Sequence, residues 1–70
     1  MQMKRVSIYE LSSILETIKG KTIDFEKLEM MKIGCQLNQL YKEDILYMAD
    51  SNTTVYAAQR RLAQRRREYE

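Results

Sequence analysis

Cys35 is the one side chain with the chemistry of a strong nucleophile, and there is no histidine anywhere to serve as its base. It lies among apolar residues, where a thiol behaves as a small hydrophobe. The missing histidine also removes the commonest proton shuttle and any zinc site of mixed Cys and His ligands. A single cysteine cannot form an internal disulfide. Glu26 and Glu29 stand one helical turn apart and could share a cation, but acids at that spacing are ordinary near a helix start, where the dipole favours them. No glycine-rich phosphate cradle is present. The sequence thus offers no catalytic residue, metal ligand or cofactor site, and the chain reads as one that acts by binding.

The groups suited to binding gather at one end. Residues 1–50 carry seven Lys or Arg against eight acids, a balance of −1; residues 51–70 carry five Arg against two Glu, a balance of +3. All five cations of the last segment are arginines, whose planar forks suit paired contacts with carboxylates or phosphates. Tyr56, Gln59, Arg60, Arg61, Arg65, Arg66 and Arg67 are the candidate partner-binding residues.

Three helices are expected to position them, in an all-α single domain over residues 1–70. The first spans about residues 7–19. Ser7 and Glu10 form an S-x-x-E capping box, Ile8, Leu11, Leu15 and Ile18 recur at helical spacing, and Gly20 stops it. The second spans about 24–48, capped by Asp24 and antiparallel to the first. It carries two apolar stripes: Met30, Ile33, Leu37, Leu40 and Tyr41 on one side, and Leu28, Met31, Cys35 and Leu46 nearly opposite. Asp44 projects from the first stripe, so the helix either leaves the core there or breaks and restarts. Without a Gly or Pro to mark a break, continuity is the expectation. The third helix, about 53–68, follows the turn residues Asp50-Ser51-Asn52-Thr53, and Arg65 interrupts its apolar stripe of Val55, Ala58, Leu62 and Tyr69.

A 70-residue chain hides only about 60% of its unfolded surface, so its own core is marginal. With no disulfide and no metal, self-association is the remaining stabilising device, and the second stripe, Leu28, Met31, Cys35 and Leu46, is assigned to it. No apolar run approaches membrane-spanning length, and no secretory leader is legible, so the expected setting is the reducing cytoplasm.

Two stretches resemble known families. The apolar first helix, Lys19-Gly20-Lys21-Thr22-Ile23-Asp24, and a long helix containing Gly34 look like small helical proteins of bacteriophage early regions, which implies an accessory protein that modulates a host protein. Ser51-Asn52-Thr53-Thr54-Val55-Tyr56, with Arg60-Arg61-Leu62 beyond it, resembles the turn and recognition helix of helix-turn-helix proteins, over residues 49–62. That resemblance implies DNA contacts from Asn52, Thr53, Tyr56, Gln59 and Arg60. Two positions depart from the family pattern. Ala49 replaces a turn glycine, and Asp50 stands where a core aliphatic locks the helices together. The leading expectation is a non-enzymatic regulator or inhibitor that binds a protein. The alternative is a DNA-binding regulator using residues 44–67.

Overall fold

The structure, a computed structural model, describes residues 4–18 and 22–69, the last of these by its backbone alone. It is all-helical: α1 is Ile8–Glu16, α2 is Phe25–Gln36, α3 is Lys42–Ala49 and α4 is Val55–Tyr69. Among the described residues, no helix is long and apolar enough to cross a membrane.

The local signals at the first two helix starts act as their chemistry requires. Ser7 Oγ accepts the Glu10 N–H at 3.1 Å, and the Glu10 carboxylate accepts the Ser7 N–H at 3.4 Å. Asp24 Oδ1 accepts the Glu26 N–H at 2.9 Å. The first helix ends earlier than expected, at Glu16. Thr17 donates its hydroxyl to the Ile14 carbonyl at 2.6 Å, which gives the chain a local alternative to another helical turn. The proposed stop at Gly20 lies outside the described residues.

The helix expected to run unbroken over 24–48 is two helices, and Asn38 is where it breaks. Asn38 takes φ = 58°, the left-handed conformation that asparagine tolerates better than other residues with a side chain. The Asn38 N–H donates to the Cys35 carbonyl at 3.0 Å and the Gln39 N–H to the Gly34 carbonyl at 2.9 Å. That pair of bonds is a Schellman stop built on Asn in place of Gly. The chain then folds back so that Leu40 lies over Gly34. A Cβ on Gly34 would sit 2.5 Å from Leu40 Cδ1 and 3.1 Å from Leu62 Cδ1, so only glycine lets both leucines close on α2. Arg5 and Val6 pair with this connection, the Val6 N–H donating to the Leu40 carbonyl at 2.7 Å.

With the chain folded back, one stripe of α2 faces inward. Met31 and Cys35 are buried with Val6, Leu11, Leu40, Ile45, Met48, Ala58 and Leu62 in one core. Helices α1, α3 and α4 all pack on α2. The assignment of Leu28, Met31, Cys35 and Leu46 to self-association is therefore corrected. Met31 and Cys35 are consumed by the chain's own core, Leu28 is half-buried, and of the four only Leu46 is exposed. Ile33 and Leu37, expected to pack inward, lie open on the other side at 44% and 49% exposure.

Candidate nucleic-acid interface

The α3–α4 connection is built from its own turn residues and then fixed from outside. Asp50 ends α3 and, with an exposed side chain, has no core role. Its carboxylate accepts the Asn52 N–H at 2.8 Å and its carbonyl accepts the Thr53 N–H at 3.0 Å, an Asx-type turn. Thr54 Oγ1 accepts the Ala57 N–H at 3.0 Å and so caps α4. From α2, Lys27 reaches into the turn. Its Nζ donates to the carbonyls of Asp50 and Thr53, each at 2.9 Å, and the residue is only 4% exposed. Lys27 thus holds both ends of the turn to α2.

The lock between α3 and α4 is ionic as well as apolar. Met48, Ala49, Ala58 and Leu62 supply the packing. Asp44, whose side chain is fully buried, accepts Arg61 Nη1 at 2.7 Å, Arg65 Nε at 2.9 Å and Arg65 Nη2 at 2.9 Å. Its second oxygen also takes the Tyr41 N–H at 2.9 Å, which caps the start of α3. Burial alone would raise the Asp44 pKa, but the hydrogen bonds from Arg65, the Tyr41 backbone and Arg61 outweigh it, and the carboxyl ends up below the usual carboxylate range. Arg65 also pairs with Glu43 at 3.1 Å and Glu68 at 3.0 Å. Its guanidinium lies 4.9 Å from the Tyr41 ring centre, while that of Arg61 lies 4.2 Å from the Tyr47 ring centre. A buried carboxylate and two arginines thus join α4 to α3.

The seven candidate partner-binding residues therefore divide. Arg61 and Arg65 turn inward onto Asp44. Tyr56, Gln59, Arg60, Arg66 and Arg67 are exposed. Among the described residues, Arg60, Arg66 and Arg67 make no ion pair. Tyr56, Arg60 and Arg67 fall on one line at i, i+4 and i+11. Arg60 is tethered to the first of these, donating to the Tyr56 hydroxyl at 3.3 Å. Beside this line runs an open groove of about 550 Å³, lined by Tyr47, Tyr56, Arg60, Arg61, Gln64 and Arg67. Cys35 lies elsewhere, 3% exposed, its thiol pushed up to about 11 by burial and then by Glu10, which leaves it protonated near neutral pH.

Sequence reasoning missed Lys27 and the partners of Asp44. Lysine between Glu26 and Glu29 reads as a solvated surface residue, and no local pattern signals otherwise. The misfit of Asp44 on an apolar stripe was a usable signal. A carboxylate that must be buried calls for a cation, and Arg65 interrupts the only other stripe that lacks one residue. No protein-family model, curated protein or solved structure matches the chain.

Proposed function

We propose that this chain is a non-enzymatic DNA-binding module, with α3, the turn and α4 acting as a helix-turn-helix and the outward face of α4 entering the major groove. The observation that carries this reading is the division of the arginines. Two are used to lock α4 onto α3, and three are left exposed on a helix that begins just after a tightly held turn. An outward face of Tyr56, Gln59, Arg60 and Arg67 has the residue types that meet base edges and phosphates. A short α3 ending in a capped turn supplies the first helix that the resemblance at residues 49–62 requires. Exposed Ser51, Asn52 and Thr54 stand at the mouth of the turn, where hydroxyl and amide groups contact phosphate in such modules.

Titration of duplex DNA at several salt concentrations tests the proposal. Affinity should fall steeply as salt rises, and Arg67→Ala should lower the slope of log K against log salt by about one. Binding that ignores salt, or no binding to duplex of any sequence at low salt, would reject it. Regulation through a protein partner has a separate observation in its favour, the apolar outer face of α2, but that face carries no arginine and lies apart from the residues above.

A further inference from the structure

The outer face of α2 carries three of the seven large hydrophobic side chains exposed among the described residues. Phe25 is 72% exposed, Ile33 44% and Leu37 49%. They fall on one side of the helix within an arc of about 120°, at i, i+8 and the C-cap position i+12, with Glu29 in the remaining i+4 slot. None is needed by the chain's own core, which takes Lys27, Met31, Gly34 and Cys35 from the opposite side of the same helix. Isolated exposed apolar residues are ordinary, but three large ones on one side of a single helix, with a charged residue among them, have the make-up of a contact surface.

We infer that this face pairs antiparallel with the same face of a second copy of the chain, giving a twofold-symmetric dimer. The order of charges along α2 selects that partner and that direction. Glu26 and Glu29, after the N-cap Asp24, occupy the first half and Lys32 the second, while Lys27 of the first half is turned into the core. Parallel pairing would set acids against acids. Antiparallel pairing about an axis crossing between Met30 and Met31 puts Glu29 of one copy opposite Lys32 of the other, twice by symmetry. In the same register Phe25 of one copy lies beside Gln36 and Leu37 of the other, and the opposed helix dipoles add to the match. Glu29 and Lys32 already form an exposed pair at 3.3 Å within one copy, so both charges stand at this face. A self-complementary patch is what a twofold interface needs, and a chain of this size gains most from burying it.

Sedimentation of the full chain over a concentration series tests the inference, with circular dichroism as the check on folding. The wild type should form a dimer. Ile33→Glu should sediment as a monomer with unchanged helix content. Lys32→Glu should raise the dimer dissociation constant by about tenfold, because two attractive contacts become repulsive. The double variant Glu29→Lys/Lys32→Glu should restore dimerisation. A wild type that stays monomeric at every concentration would overturn self-pairing and leave the face to another protein. A dimer that survives Ile33→Glu would place the interface elsewhere, and a double variant no better than Lys32→Glu would refute the antiparallel register.

Discussion

Replacing Asp44 by Asn removes one charge and almost no volume from the junction of α3 and α4. The wild-type carboxylate takes four contacts between 2.7 and 2.9 Å from Arg61, Arg65 and the Tyr41 backbone. Asparagine keeps one acceptor oxygen and turns an amide N–H toward the donors that remain. Breaking a buried ion pair costs about 3–5 kcal/mol. Two features move this case to the lower end. The side chains of Arg61 and Arg65 are 27% and 15% exposed, and Arg65 keeps Glu43 and Glu68. We expect a loss of about 3 kcal/mol, a large share of the roughly 4–10 kcal/mol total for a domain of this size. Urea unfolding followed by circular dichroism should show the midpoint lowered by about 3 M, taking a slope near the small-protein limit of about 1 kcal/mol per M. The pH dependence has a fixed sign. The folded-state pKa of Asp44 lies below its ordinary 3.8. The stabilisation is therefore fully present above that ordinary value and is lost as pH falls through the lower, folded-state one. The gap between wild type and Asp44→Asn should stay constant from neutral pH down to about 5 and close only in stronger acid. A gap under about 1 kcal/mol at neutral pH, or one already closing near pH 6, would refute the ionic lock.

Two further substitutions probe the framework around the lock. Gly34→Ala should destabilise by about 1 kcal/mol net. Overpacking against buried Leu40 costs about 1–3 kcal/mol, and the better helix propensity of alanine returns up to about 1. Thermal unfolding should then show a midpoint lower by about 4–8 °C. Lys27→Met keeps an apolar stem but leaves the Asp50 and Thr53 carbonyls without their buried donor. Faster amide exchange in residues 50–54, beyond that in α1, is the expected result, whereas uniform change across the chain would show that Lys27 does not act on the turn.

What could be read in advance follows from how local each cause is. The capping box at Ser7 and Glu10 and the cap at Asp24 act within three residues, and both are present as the sequence implies. The all-helical class follows from the same local chemistry. The misfit of Asp44 left a break open as an alternative, but its place at Asn38 was not legible, because asparagine at a left-handed position looks like any polar residue until the chain must reverse. The purpose of Gly34 depends on Leu40 folding back over it, and on Leu62 from 28 residues farther along. A helix with two apolar sides cannot by itself say which side faces inward. Here Gly34 and Lys27 decide it, one by admitting the leucines and one by reaching the turn. The arginine-rich end stood out by charge as the candidate binding element. Its division between inward and outward residues was not, since the Asp44 contacts span 17 and 21 positions.

Chemical-shift mapping of the isotope-labelled chain, titrated with duplex DNA, bears most directly on the proposed interface. The amide and side-chain signals of Tyr56, Gln59, Arg60 and Arg67 should move with those of Ser51 to Thr54, while signals from the outer face of α2 at Ile33 and Leu37 stay in place. Shifts confined to α2, with the outward face of α4 undisturbed, would contradict the assignment of α4 as the helix that meets DNA.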